Sequence, residues 1–152
     1  MRQQNNEPMT TVNIYLTFNG NCREAFDFYQ KAFKVSADHM STFGEIPASD
    51  DAPPIPEADK DKIMHVSMPI SKETVLMGSD SSSAFGPTPT AGNNFSISIN
   101  ADTKEEGERL FNALSDGGNV TMPMNETFWN AYFGMFTDRF GINWMVNVEL
   151  EQ

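Results

Sequence analysis

His65 is the side chain in this sequence best suited to move a proton near neutral pH, because an unperturbed imidazole titrates at about 6.5. It lies two residues from Ser67 in a stretch, residues 63–70, whose alternation places both on one side of a strand, with Met64, Val66 and Met68 on the other. There it could act as a general base or a ligand, or stand as a neutral histidine hydrogen-bonded inside a polar interior. The same alternation sets Asn13, Tyr15 and Thr17 opposite Ile14, Leu16 and Phe18, and Ser96, Ser98 and Asn100 opposite Phe95, Ile97 and Ile99. Near the end of the chain, Asn143, Met145, Asn147 and Glu149 oppose Ile142, Trp144, Val146 and Val148. Strands that are apolar on one side and polar but mostly uncharged on the other suit the wall of a wet cavity. Tyr15, Trp129, Tyr132 and Trp144 could stack on a planar ligand there, or serve as aromatic core and dimer contacts. Trp144 falls on the apolar side of its strand.

The remaining reactive groups are less well placed. Cys22 sits at the start of a predicted helix, where the dipole would lower its pKa, yet no histidine is near it in sequence. Glu126 and Glu149 are the acids of the closing hairpin that could reach a cavity, and solvated strand ends are the plainer reading. His39 lies beside an exposed-looking loop. The methionines of the predicted sheet, Met64, Met68, Met77, Met135 and Met145, could shape an adaptable apolar pocket or simply fill the core.

These residues are carried by two halves with one pattern. In the first, a strand over residues 12–18 is followed by Asn19-Gly20 and a helix capped by Asn21, with Ala25, Phe28, Tyr29, Ala32 and Phe33 as its apolar stripe. A strand over 35–43, an acidic, proline-rich loop over 44–62, and a hairpin of 63–70 and 73–78 across Ser71-Lys72 complete it. Turn formers fill residues 79–93. In the second half a strand over 94–101, a helix capped by Asp102, a strand over 119–124 and a hairpin turning at 138–141 repeat the order. A shift of 81 positions lays Ile14, Leu16 and Phe18 on Phe95, Ile97 and Ile99. Each half reads β-α-β-β-β. The expected division is a tail over 1–11, with Met9 as a possible original start, then one domain over 12–152. That domain comprises a module at 12–79, a linker at 80–93 and a module at 94–149.

Composition bounds the partners. A net charge of −11, with Lys and Arg scattered singly, argues against a nucleic-acid interface. No stretch approaches the roughly 20 apolar residues needed to span a bilayer, and the first residues lack the apolar core of a signal peptide. A cytoplasmic protein without membrane contact is expected. A single cysteine excludes an internal disulfide and a cysteine-based zinc site, and the Asn-x-Ser/Thr triplets at Asn94, Asn119 and Asn125 are then idle.

The stretches FNGNCREA (18–25), FYQKAF (28–33), IMH (63–65) and, most specifically, FWNAYFGMFTDRFGINW (128–144) resemble the PhnB-like branch of the vicinal oxygen chelate superfamily. That superfamily holds glyoxalases, bleomycin-resistance proteins and extradiol dioxygenases, and the resemblance spans nearly the whole domain. It implies an α+β fold of two βαβββ modules forming curled mixed sheets around a cup, and a homodimer, for which exposed sheet edges give a physical reason. Members of the branch often carry the label of a 3-demethylubiquinone methyltransferase-like domain, although this sequence has no glycine-rich nucleotide loop with a following acidic residue.

Metal-dependent members of the superfamily place His or Gln on the first strand and Glu on the last strand of each module. Here the residue aligned with that Glu in the second half is Met145, and the first half offers Leu76 and Met77. Thioethers and hydroxyls are poor ligands for a hard or borderline divalent ion. The expectation is therefore a metal-independent protein that binds a small molecule through Asn13, Tyr15, Thr17, Ser67, Ser96, Ser98, Trp129, Tyr132, Asn143, Met145 and Asn147, with His65 as the candidate catalytic residue and no cofactor. The alternatives are a metal-dependent lyase, isomerase or dioxygenase with an unusual ligand set that includes His65, and an antibiotic-sequestering dimer.

Overall fold

The computed structural model describes residues 10–47 and 49–150. The tail expected over 1–11 falls, for its first nine residues and Met9 among them, outside that range. The chain divides into two compact units, one up to Pro89 and one from Thr90. Both have the element order read from the sequence. The first contains β1 (Ile14–Phe18), α1 (Cys22–Phe33), β2 (His39–Thr42), β3 (Ile63–Pro69) and β4 (Val75–Asp80). The second contains β5 (Ile97–Asn100), α2 (Lys104–Ser115), β6 (Asn119–Glu126), β7 (Ala131–Thr137) and β8 (Asn143–Glu149). Their four-stranded sheets have matching orders, β1-β4-β3-β2 and β5-β8-β7-β6, with the first and last strands of each unit parallel and the other neighbours antiparallel. The duplicated α+β fold is therefore present.

In the first unit Leu16, Phe18, Val66, Met68 and Leu76 are buried, as are Cys22, Ala25, Phe26, Tyr29 and Ala32 of α1. The helix thus turns Phe26 inward, while Phe28, expected in the stripe, is half-buried at its margin. A glycine lets the helix approach: a Cβ on Gly78 of β4 would stand 2.7 Å from the Phe26 ring and 3.0 Å from the Leu16 carbonyl oxygen. The second unit keeps a strand glycine, Gly134 of β7, whose Cβ would stand 2.7 Å from the Phe111 ring, and adds one on the helix, where a Cβ on Gly107 would meet Val148 Cγ2 at 2.6 Å. Overpacking any of these contacts costs about 1–3 kcal/mol.

Both expected helix caps are corrected. Asn21 makes no side-chain cap bond to α1. Asp80 does so from the end of β4, its Oδ1 accepting the backbone N–H groups of Gly20 and Cys22 at 2.9 Å each. A carboxylate is the stronger acceptor beside orphan helix donors. At α2 the cap is Thr103, one residue beyond Asp102, and its Oγ1 accepts from Glu106 N at 3.1 Å. The expected strand over 35–43 shortens to His39–Thr42, because Lys34 takes a left-handed conformation (φ 58°) and Gln30 Oε1 holds Ala37 N at 2.9 Å. Within 44–62, expected to form no element, the chain makes a 3-10 turn at Phe43–Glu45, which Phe43 opens, and another at Glu57–Asp59. Each is anchored by a buried residue, Phe43 and Asp59 respectively. The strand expected over 94–101 begins only at Ile97, leaving Phe95 outside it and 63% exposed.

Candidate functional site

The face of the first sheet turned away from α1 carries most of the polar groups anticipated there. Across it run His39, Ser67, Met77 and Tyr15, each paired with the next. Beside that row Ser41 pairs with His65 and Thr17 with Ser79. The Tyr15 and His65 rings lie 5.8 Å apart at 35°. A bulge changes one assignment: the register steps from Ser41↔His65 to Thr42↔Ile63, so Met64 is the extra residue of β3. Ile63 and Val66 then both point into the core, and Met64 joins His65 on the polar face. Strict alternation had put Met64 opposite His65, and it fails at this residue.

A pocket of about 570 Å³ opens at the Thr17/Ser79 end of this face. Thr17, Met64 and Ser79 come from the strands, Phe43, Ile46 and Ala52 from the β2–β3 connection, and Ser81, Ser82 and Phe85 from the chain after β4. The rings of Phe43 and Phe85 lie nearly parallel, 5.8 Å apart at 18°. Phe43 is buried and Phe85 is 54% exposed, so Phe85 presents a ring face or edge to an incoming molecule. Asp80 also borders the pocket, and its second oxygen accepts from Ile63 N at 2.8 Å. Ser82 donates to Asp59 Oδ2 at 2.8 Å, and Lys62 pairs with Asp59 Oδ1 at 2.9 Å. These bonds tie the 3-10 turn at Glu57–Asp59 to the segment bearing Phe85. An adjoining pocket of about 420 Å³ shares Phe43, Ile46 and Ala52 and continues among Pro47, Pro53, Pro54 and Ile55.

Of the residues singled out in the sequence, Thr17 lines the larger pocket, while Tyr15, His65 and Ser67 share its sheet face without lining it. Asn13 precedes β1, and its Oδ1 accepts from Val75 N at 2.8 Å, fixing the start of the β1/β4 pair. Most of the other pocket residues sit in stretches read as linker or loop, whereas Phe43 closes the strand expected over 35–43 and Met64 is one of the methionines expected to shape a pocket or fill the core. The aromatic ring of Phe85, set among turn formers, could have signalled a wall.

In the second unit Ser98 pairs with Met145, and Asn100 with Asn147, whose Nδ2 donates to Asn100 Oδ1 at 3.2 Å. Asn143 is occupied structurally: its Oδ1 accepts from Thr137 Oγ1 at 2.9 Å, and its Nδ2 donates to the carbonyls of Gly92 at 3.0 Å and Phe95 at 3.3 Å. Ser96 precedes β5 and is half-buried. Trp129, in the β6–β7 turn, meets Phe128 and Phe133 edge-on at 5.0 and 5.9 Å. Tyr132 is not brought to this group. It pairs with buried Val148, donates its hydroxyl to Glu108 of α2, and lies under Lys104 Nζ, 4.6 Å from the ring centre. That carboxylate raises the phenol's pKa above its ordinary value. Trp144 is fully buried, as its place on the apolar side implies.

Cys22 is fully buried, and its thiol is pushed well above the ordinary range, first by burial and then by the Asp80 carboxylate. The lowering expected from its place at a helix start is thus reversed. As for a metal, the first-strand and last-strand positions present Tyr15 with Met77 in one unit and Ser98 with Met145 in the other. Phenol, hydroxyl and thioether groups do not fit a hard or borderline divalent ion. Within either unit, among the described residues, no three His, Cys, Asp or Glu side chains gather to hold one. No helix among those residues is long and apolar enough to cross a membrane.

The sequence profile of the family described as 3-demethylubiquinone-9 3-methyltransferase matches residues 10–147. The protein YjdN of Escherichia coli is 33% identical over 143 residues, covering 91% of this chain and 95% of its own. Among solved structures, protein PA1353 of Pseudomonas aeruginosa is 46% identical with a TM-score of 0.78, covering 93% of this chain and 99% of that one. A PhnB protein from Bacillus cereus, 21% identical, superposes with a TM-score of 0.69 over 91% of this chain and 99% of its own. The fold recurs in glyoxalase/bleomycin resistance/dioxygenase proteins at 20% and 12% identity. With a matching profile across almost its whole length, the chain belongs to the 3-demethylubiquinone-9 3-methyltransferase family, and its two βαβββ units have the fold of glyoxalase/bleomycin resistance/dioxygenase proteins.

Proposed function

We propose that this protein binds a small molecule against the polar face of its first sheet, in the pocket roofed by the β2–β3 connection and the segment after β4. In this reading it is a cytoplasmic homodimer that works without a resident metal. The pocket carries the proposal. Its volume of about 570 Å³ suits a small-molecule site, and its walls are mainly apolar (Phe43, Ile46, Met64, Phe85) with Thr17 and Ser79 supplying hydroxyls at the floor. Such a mixture, mostly apolar with a few convergent polar groups, is the usual make-up of ligand sites. The donor set on the first and last strands supports metal independence, and exposed Phe128 and Trp129, 96% and 51% accessible, support self-association.

The test is a thermal-shift screen of metabolites, followed by titration of any stabilising compound. Binding is expected to fall at least about tenfold in Phe85→Ala and in the pocket-filling Ala52→Trp, and to survive in Tyr132→Phe. Undiminished binding in both pocket variants would place the ligand elsewhere. Stoichiometric nickel, zinc, manganese or iron in protein purified without added metal would defeat metal independence.

A further inference from the structure

We infer that the pocket beside Phe85 selects a flat, apolar molecule that carries no negative charge. The inference rests on the small-molecule reading above and adds the charge class of the ligand. Among the described residues lining the pocket there is a carboxylate, Asp80, and no Lys, Arg or His. Outside the pocket, Lys62 pairs with Asp59 at 2.9 Å, and Lys60, at the wall of the adjoining pocket, pairs with Glu57 at 3.3 Å. The protein's own device for holding an anion at this end of the sheet is the N-terminus of α1, and Asp80 already occupies it through the Gly20 and Cys22 N–H groups. An incoming phosphate, phosphonate or carboxylate would meet the Asp80 carboxylate and, among the described lining residues, no cation. A neutral hydroxyl or amide, or a protonated amine, can instead use Thr17 and Ser79, while a planar body lies against Phe85, itself nearly parallel to Phe43.

The matched probes are 2-naphthalenemethanol, 2-naphthylmethylamine and 2-naphthylmethylphosphonate, which share one ring system and differ in charge at pH 7.5. Each is titrated into the full-length protein and followed by backbone amide shifts of residues 17, 79, 81 and 85. The alcohol and the amine are expected to move these signals, with the phosphonate at least about tenfold weaker. Ala52→Lys, which adds a cation at the wall, is expected to strengthen the phosphonate relative to the alcohol several-fold. A phosphonate that binds as tightly as the alcohol, or an Ala52→Lys protein with no gain for it, overturns the charge assignment and leaves the pocket standing. Silence of these signals with all three probes overturns the pocket and the assignment together.

Discussion

Asp80 at the end of β4 accepts the backbone N–H of Cys22, 58 residues earlier in the chain, at 2.9 Å. Because β4 lies parallel to β1, the two strands end together, and the carboxylate arrives where α1 begins. The same side chain serves Gly20 and Ile63, so one residue fixes the start of the helix and the start of β3. Truncation to Ala would orphan these donors, those of Cys22 and Ile63 in buried surroundings. Asp80→Ala is expected to cost about 3 kcal/mol, and Asp80→Asn less, because one acceptor oxygen remains. Urea unfolding monitored by circular dichroism measures both, and an Asp80→Ala loss below about 1 kcal/mol would remove this account of the cap.

The second unit has a comparable buried aspartate. Asp138 accepts from the N–H groups of Phe140 and Ile142 with one oxygen, and from the Trp144 indole at 2.8 Å with the other. The side chain read from sequence as turn chemistry therefore also holds the largest buried ring. Trp144→Phe deletes a donor to a buried carboxylate and leaves a void, and should lower stability by about 2–4 kcal/mol. Its remaining tryptophan, Trp129, is 51% exposed, so the variant's emission should shift to longer wavelength and be quenched readily by acrylamide. Unchanged quenching would contradict the placement of the two indoles.

The duplicated architecture was legible because hydrophobic alternation and turn residues agree over long stretches. The polar face was legible for Tyr15, Thr17 and Ser67 for the same reason. Met64 was not, since a single bulge reverses the side of a strand and leaves no mark in composition. Asp80, Ser82 and Phe85 were hidden more thoroughly. They stand among serines, glycines and prolines that read as linker, and their roles come from partners far away in sequence, Cys22 and Ile63 for Asp80, Asp59 for Ser82, Phe43 for Phe85. Helix capping shows the same limit. Local pattern offered Asn21, and tertiary structure supplied a stronger acceptor from another strand.

Cys22 tests the interior directly. Burial and the neighbouring Asp80 carboxylate both disfavour the thiolate, while Arg23 opposes them more weakly. In native protein at pH 8 the thiol is expected to resist a disulfide reagent such as DTNB, and to react within minutes once urea unfolds the chain. Its slow native rate should follow opening of α1 and rise in Asp80→Asn, where the cap is weakened. Rapid labelling of the folded wild type would show that this end of the helix is open to solvent.

Asp59 supplies a pH dependence whose sign is fixed. Hydrogen bonds from Lys62 and Ser82 hold its carboxyl below the ordinary aspartate range. A depressed folded-state pKa means that the unfolded chain takes up the proton first, so the stabilisation is complete above the unfolded value of about 3.9 and disappears as pH falls through the lower folded value. The stability gap between wild type and Asp59→Asn should therefore stay level above about pH 5 and close in more acid solution. A gap that is unchanged at pH 3, or wider there, would mean that the carboxylate form is not favoured by folding. Because Ser82 belongs both to this pair and to the pocket wall, Asp59→Asn should also loosen the segment bearing Phe85. Amide exchange over residues 82–86 should accelerate in the variant at neutral pH, where the carboxylate in the wild type is fully ionised.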